Sequence, residues 1–111
     1  MEYRVELTPI AEADLEAVHS WIAAQSSKLV ANDWFYGIQD ATLSLSKIPE
    51  RCPRAPESRV HGVEIRELVY GNRRVSYRVL FQLLKGDGVV RVLRVIHSAR
   101  RFLRLDELSL N

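Results

Sequence analysis

The sequence is poor in residues that build disulfides or metal centres. Cys52 is the single cysteine in 111 residues, which excludes an internal disulfide, a Cys-x-x-Cys redox pair and a cysteine-based zinc site. The three histidines, His19, His61 and His97, lie roughly forty residues apart and lack the spacing of metal ligands. We therefore expect a reduced domain that uses no metal and no other cofactor.

Long apolar runs are also missing. No stretch of about 18 uninterrupted apolar residues is present, and a membrane-spanning helix needs one. Residues 1–7 form too short an apolar segment for a signal peptide and are too charged. Hydrophobic residues make up 47% and charged residues 27% of the chain, which is typical of a soluble globular protein. We expect one cytoplasmic domain, residues 1–111, with no membrane partner.

Lysine is scarce, and the charges are unevenly divided. Residues 1–50 carry three basic and eight acidic side chains, a net charge of −5. Residues 51–111 carry 13 basic and six acidic side chains, a net charge of +7, and all the basic ones but Lys85 are arginine. Because guanidinium groups bind phosphate and carboxylate bidentately, this half indicates a polyanion or an acidic protein partner. The alternative is that these arginines are simply solvated.

Local signals predict a strand followed by two helices. Apolar and polar side chains alternate in residues 2–7, the pattern of a half-buried strand. Thr8 followed by Pro9 predicts a helix start, since the hydroxyl caps the first turn and proline tolerates the first helical position. The serines at 26–27 predict the cap of a second helix, which Pro49 ends. The short link between the helices makes them an antiparallel hairpin.

The second half predicts strands. Residues 49–62 are predicted to form an exposed, irregular loop. A period of two then predicts strands over residues 63–70, 73–84 and 89–98, joined by tight turns at Gly71-Asn72 and at residues 86–88, before a tail that packs back as a short helix. The order β-α-α-β-β-β predicts an α+β fold, in which the N-terminal strand and the helical hairpin pack on one face of an antiparallel sheet. The opposite face would remain available for function.

Three arginines of the predicted strands form a candidate anion site. Arg74 and Arg78 alternate with apolar residues, so they are expected to face away from the helices, and Arg66 is assigned to the same face. Neighbouring strands place such side chains about 5 Å apart. Guanidinium groups at this distance repel one another unless they bind an anion. The alternative is that Glu64 and Glu67 neutralise them in cross-strand pairs.

His97 is a further candidate, because it closes the last predicted strand just before a pair of arginines. Histidine acts as a general acid or base near neutral pH. The alternative is a structural histidine held by a hydrogen bond. Trp21, Trp34 and Tyr77 lie at core spacing and are predicted to be packing residues.

Several motifs stand in a fixed order along nearly the whole chain. They are Leu7-Thr8-Pro9 with Ala11, Asp14 and Leu15, then Ile65-Arg66-Glu67-Leu68 with Gly71, then Tyr77-Arg78-Val79, and finally the segment from Val92 to Arg101 that contains His97-Ser98-Ala99-Arg100. In this order and spacing they resemble toxins of the RelE/ParE superfamily of bacterial type II toxin–antitoxin systems. The closing segment is the most specific element. The resemblance implies a toxin that is held inactive by a cognate antitoxin, whose acidic C-terminal segment wraps the toxin as helix and strand.

The superfamily contains two activities. The closing His-Ser-Ala-Arg resembles the ParE branch, whose members poison DNA gyrase by binding it, and we expect Arg94, Arg100 and Arg101 to contact this target. The chain lacks the lysine-rich patch and the C-terminal tyrosine of RelE relatives, since Phe102 has no hydroxyl.

The RelE branch is the alternative. Its members cut mRNA on the ribosome without a metal, and the resemblance then implies that Arg66, Arg74 or Arg78 clamps the phosphate while His97 transfers a proton. A third possibility is an inactive remnant that only binds an antitoxin.

Overall fold

The computed structural model describes residues 2–100, 103–108 and 110. The strands in these ranges are β1 (Arg4–Leu7), β2 (Arg66–Gly71), β3 (Ser76–Leu84) and β4 (Val89–His97). The helices are α1 (Pro9–Gln25), α2 (Lys28–Leu43) and α3 (Pro56–His61), and 3₁₀ turns lie at Ser44–Ser46, Pro49–Arg51, Lys85–Asp87 and Leu105–Glu107. No helix in these ranges is both long enough and apolar enough to span a bilayer.

The four strands form one sheet in the order β1-β4-β3-β2. β2, β3 and β4 are antiparallel neighbours, while β1 lies at the edge and runs parallel to β4. The Thr8 hydroxyl, which directly follows β1, donates to the Leu93 carbonyl oxygen at 3.0 Å and ties the start of α1 to β4. The predicted α+β fold is therefore confirmed, with a sheet that is mixed at its β1 edge.

Both predicted helix starts are confirmed. The Thr8 hydroxyl accepts a hydrogen bond from the Ala11 N–H, and the Ser27 hydroxyl accepts one from the Val30 N–H, each at 3.1 Å. The second helix, however, ends at Leu43 rather than at Pro49. Beyond it the Arg51 guanidinium donates to backbone carbonyls of residues 44–48, and Arg51 thereby satisfies backbone acceptors that have no helical partner.

The helical hairpin covers one face of the sheet. Its core includes Ala11, Leu15, Ile38 and Leu45 from the helical segment and Tyr77, Val79, Phe81, Val90, Val92 and Val95 from β3 and β4. Both central strands carry apolar side chains towards the helices at alternate positions, which is why the hairpin packs there.

The opposite face is also covered, so the prediction of a free face is wrong. Ala55, Ile65, Leu103 and Leu108 pack there against Leu80, Leu93 and Ile96 of the central strands. The central strands are apolar on both sides, and the second side must also be buried. Residues 49–62 are thus no exposed loop: they form a 3₁₀ turn and α3 and bury several side chains. The tail packs back as predicted over residues 103–108, though as a single 3₁₀ turn.

The turn between β2 and β3 is longer than predicted. The Asn72 side-chain oxygen accepts hydrogen bonds from the N–H groups of Arg74 and Val75, each at 2.9 Å. This side-chain turn keeps residues 72–75 out of the sheet, so β3 starts at Ser76. Gly71 has a φ of 128°, and a Cβ there would collide with the Val75 carbonyl oxygen.

Candidate functional site

Arg78 lies on the face away from the helical hairpin, as predicted, but it is buried in an ion-pair cluster. Its Nε donates to Glu67 Oε1 at 2.8 Å, and its Nη1 and Nη2 donate to both oxygens of Glu57 at 3.1 and 2.5 Å. Arg78 is 8% exposed and Glu57 is fully buried. Burial opposes ionisation of Glu57, but the hydrogen bonds from Arg78 and from the Leu103 N–H outweigh it, so the pKa of Glu57 lies below its usual value.

Arg66 faces the other way. In the register of the sheet Leu68 lies opposite Val79 and Tyr70 lies opposite Tyr77, so these side chains point towards the helical hairpin. Arg66 is two residues from Leu68, and alternate residues of a strand share a face, so Arg66 lies on the face of the helical hairpin and not on the face of Arg78. Its Nη1 donates to the Cys52 carbonyl oxygen at 2.6 Å, and its Nη2 lies 3.2 Å from Glu64 Oε2.

Arg74 stands apart from both. It lies in the exposed turn between β2 and β3, and it has no ion-pair partner in the part of the chain that the structure describes. The structure therefore does not bring Arg66, Arg74 and Arg78 together, and the predicted anion cluster is wrong. The alternative, neutralisation by Glu64 and Glu67 in cross-strand pairs, holds in part. Glu67 pairs with Arg78 across the two strands, whereas Glu64 pairs with Arg66 two residues away and Arg74 is not neutralised by any described residue. Glu57 is a further partner that sequence reasoning missed, because it was assigned to an exposed loop.

Arg94, expected to contact a target, is also engaged internally. Its Nε and Nη2 bind both oxygens of Asp14 at 2.7 and 3.0 Å, and its Nη1 donates to the Glu107 carbonyl oxygen at 2.7 Å. The hydrogen bonds from Arg94 to Asp14 outweigh burial and raise the pKa of Arg94. Arg94 thus joins α1, β4 and the C-terminal segment. Arg100 is exposed and pairs with Glu107 at 2.9 Å, while Arg101 lies outside the described residues.

His97 ends β4 opposite Tyr77 and is exposed. Its Nδ1 accepts a hydrogen bond from the Ala99 N–H at 2.9 Å, so Nε2 carries the proton in the neutral ring. The imidazole packs edge-on against the Tyr77 ring at a centroid distance of 5.2 Å. Because its neighbour Ile96 lies opposite Arg78, His97 belongs to the helix side of the sheet and not to the face of Arg78.

A small hollow lies beside His97. It has a volume of about 260 Å³ and is lined by Ala17, Val18, Trp21, Tyr77 and His97. Tyr77 is 3% exposed, as expected of a packing residue, but Trp21 is 59% exposed, so its prediction as a core residue is wrong. The sequence did carry a signal: Ala17 and Trp21 lie on a second helical stripe, separate from the stripe of Ala11 and Leu15 that packs on the sheet. In the part of the chain that is described, no group of three or more histidine, cysteine or acidic side chains could hold a metal ion.

Comparison with known proteins decides the family. The family model described as the ParE toxin of the type II toxin–antitoxin system parDE matches residues 5–102, which is most of the chain. The chain belongs to the ParE toxin family. The predicted RelE/ParE resemblance, closer to the ParE branch, is therefore confirmed.

A solved toxin–antitoxin structure shows the same fold as this ParE family member. A chain of the chromosomal ParDE toxin–antitoxin system from P. aeruginosa is 19% identical, with a TM-score of 0.68, and the match covers 86% of this chain and 96% of that one. A chain of the RelBE2 toxin–antitoxin complex from Mycobacterium tuberculosis is 20% identical over 87% of this chain and 99% of that one, with a TM-score of 0.43. No curated protein sequence matches.

The matched region of this ParE family member runs from β1 past the end of β4. It therefore includes His97 and the hollow beside it. It leaves out residues 103–108, which cover the second face of the sheet through Leu103 and Leu108.

Proposed function

We propose that this chain stops growth by binding DNA gyrase, and that a cognate antitoxin with an acidic segment neutralises it in the cytoplasm. Membership of the ParE toxin family supports the toxin role. The observation that carries the choice of binding over RNA cleavage is the internal pairing of Arg66 and Arg78. These are two of the three candidate arginines for the phosphate clamp of an RNA-cleaving toxin.

Cleavage of RNA by these residues would require cations that face the transferred phosphate and a proton-transfer group beside them. Arg78 is enclosed by Glu57 and Glu67, and Arg66 donates to a backbone carbonyl and to Glu64. His97 lies on the opposite face from Arg78, so Arg78 cannot hold a phosphate beside the imidazole. This geometry favours a toxin that acts by contact with a protein.

An acidic antitoxin segment suits the charges that remain free. Five arginines of residues 51–111 have no ion-pair partner among the described residues. Arg51 donates to backbone carbonyls of residues 44–48, and the other four, all at least partly exposed, are Arg59, Arg73, Arg74 and Arg91. Exposed cations of one sign attract an oppositely charged partner and speed its association. The P. aeruginosa ParDE system, which has the same fold, is itself a toxin–antitoxin pair.

The test compares two assays of the purified toxin. In the first, the toxin is added to a gyrase supercoiling reaction, with and without the antitoxin. In the second, it is added to a translating extract, and the mRNA is examined for cuts. We expect inhibition of supercoiling that the antitoxin reverses, together with intact mRNA. In cells, expression without the antitoxin should arrest growth and induce a DNA-damage response.

The alternatives give distinct results. Cut mRNA with unaffected gyrase would contradict the proposal and favour the RelE-like activity. In that case His97→Ala and Arg74→Ala variants would show whether those residues take part in cleavage. A chain that binds the antitoxin but neither arrests growth nor inhibits gyrase would be an inactive remnant.

A further inference from the structure

Helix α1 is apolar on two sides, and only one of them is covered. Ala11, Leu15 and Val18 pack into the core under the helical hairpin. A second stripe at helical spacing is exposed and consists of Ile10, Ala13, Ala17, Trp21 and Ala24. A contiguous exposed apolar stripe often marks a protein interaction site. The exposed stripe therefore indicates that a partner covers this side of α1.

The hollow at the Trp21 end of this stripe has the size and the walls of an anchoring pocket. Its volume of about 260 Å³ lies below the range of about 300–1,000 Å³ that is usual for small-molecule sites, so it suits a side chain of a protein partner. The wall formed by Tyr77 is held in place, because Trp34 and His97 pack edge-on against the Tyr77 ring at 5.1 and 5.2 Å. A preformed wall reduces the entropy that is lost on binding.

Free positive charge lies at the same end of the molecule. The Ser98 N–H donates to the Ser76 carbonyl oxygen at 2.9 Å, which places the turn before Ser76 beside the end of β4. This turn carries Arg73 and Arg74, both exposed and without an ion-pair partner among the described residues. Arg74 is three residues from Tyr77, so their Cα atoms are at most about 10 Å apart. An apolar pocket with two free cations beside it fits an apolar side chain within an acidic segment.

We propose that this surface binds an acidic segment of the toxin's protein target, with one apolar side chain inserted into the hollow. We call it the anchor site and define it by Ala17, Val18, Trp21, Tyr77 and His97, with Arg73 and Arg74 beside them. The proposal rests on the proposed function, which makes gyrase the target. Exposed tryptophan and arginine are the residue types that contribute most to binding at protein interfaces.

The position of the anchor site favours the target over the antitoxin as its occupant. An antitoxin segment that binds as helix and strand needs a free strand edge to pair with. The anchor site lies between α1 and the interior strands β3 and β4. The edge strands are β1 and β2, and residues 53–55 already pair with the start of β2.

The first experiment truncates Trp21 and measures both partners separately. Trp21→Ala is compared with Tyr36→Ala, which removes an aromatic side chain of similar exposure, 62% against 59%, outside the anchor site. Loss of an anchoring side chain typically weakens binding by about tenfold or more. We therefore expect Trp21→Ala to need at least about tenfold more toxin for half-inhibition of supercoiling, with antitoxin affinity by calorimetry nearly unchanged. Tyr36→Ala should behave as wild type in both assays, and circular dichroism checks that each variant folds.

A second experiment tests the charges. The double variant Arg73→Glu/Arg74→Glu should lose gyrase inhibition, whereas Arg59→Glu/Arg91→Glu, which makes the same change of charge at two other unpaired arginines, should retain most of it. If the two double variants lose inhibition equally, net charge rather than the anchor site is responsible, and the proposal is overturned.

The remaining outcomes separate this proposal from the proposed function. Full gyrase inhibition by Trp21→Ala would overturn the anchor site, and a loss of antitoxin affinity as large as the loss of inhibition would assign the surface to the antitoxin instead. If the wild-type toxin arrests growth without affecting gyrase, the proposed function fails. The Trp21→Ala variant then tests the anchor site separately. If the variant still arrests growth, the anchor site is rejected. If the variant no longer arrests growth but still binds the antitoxin, the anchor site is supported as the binding site for another protein target.

Discussion

Replacing the buried Glu57 by glutamine should destabilise the fold strongly. The change removes the buried charge that faces Arg78 but keeps the volume of the side chain and an oxygen that can accept from the Leu103 N–H, 2.9 Å away. Removing one partner of a buried ion pair costs about 3–5 kcal/mol. Because Arg78 retains Glu67 at 2.8 Å, we expect the lower end of that range, about 3 kcal/mol.

The assay is thermal or denaturant unfolding of the purified toxin. For a domain of this size, 1 kcal/mol shifts Tm by about 4 °C, so we expect Glu57→Gln to lower Tm by about 12 °C. The control is Glu64→Gln, which removes the partner of Arg66 at 3.2 Å. Because Glu64 is 49% exposed, its loss should cost at most about 1 kcal/mol. Equal losses for the two variants would refute the argument that burial sets the strength of these pairs.

The same pair predicts how stability depends on pH. The pKa of Glu57 is lowered in the folded protein, since the hydrogen bonds and charge of Arg78 and the Leu103 N–H outweigh burial. A lowered carboxyl pKa contributes stability above the unfolded-state value, about 4.3 for glutamate, and that contribution is lost as the pH falls through the folded-state pKa. The Tm difference between wild type and Glu57→Gln should therefore be full at neutral pH and shrink in acid. A difference that stays constant or grows in acid would contradict the lowered pKa.

Two further predictions concern the start of α1 and the antitoxin. Thr8→Ala should lower the free energy of unfolding by denaturant by about 1–2 kcal/mol, because the Thr8 hydroxyl both accepts from the Ala11 N–H and donates to the Leu93 carbonyl oxygen. Ser27→Ala removes a cap that is exposed and should cost less. Equal costs for the two variants would count against a tertiary role of Thr8. Antitoxin affinity should weaken as salt rises from about 0.05 to 0.5 M, because exposed charges are screened. An affinity that does not change with salt would show that the free arginines contribute little to antitoxin binding.

The elements with local signals were predictable from the sequence. The cap at Thr8, the proline after it and the serine at position 27 act within a few residues of the helices that they start, so both starts were correct. The end of the second helix was less predictable. Pro49 forbids a helix to continue but does not require it to reach that point. The Arg51 guanidinium binds carbonyls only three to seven residues away, but these contacts depend on its side-chain conformation, which no sequence pattern signals.

The direction of the arginines was not predictable, because it depends on register. The alternation of side chains along a strand places Arg66 on one face of β2 and Arg78 on one face of β3. Only the register between β2 and β3 decides whether these are the same face of the sheet. A shift of one residue in this register moves every side chain of the strand to the opposite face. The face predicted for Arg66 in β2 was wrong in this way. The burial of Glu57 was hidden for a similar reason, since its partners Arg78 and Leu103 are 21 and 46 residues away.

The net charge of +7 in residues 51–111 therefore overstates the positive charge that a partner meets. Six of its eleven described arginines are paired: Arg78 and Arg94 in buried or nearly buried pairs, and Arg54, Arg66, Arg100 and Arg104 in more exposed ones. Such pairs produce little field at a distance, whereas Arg73 and Arg74 lie together on one protruding turn without any partner among the described residues. Electrostatic recognition of the toxin's target should therefore be local, acting beside the Trp21 hollow and not over the whole basic half. This locality is why moving the same change of charge to Arg59 and Arg91 is expected to leave gyrase inhibition largely intact.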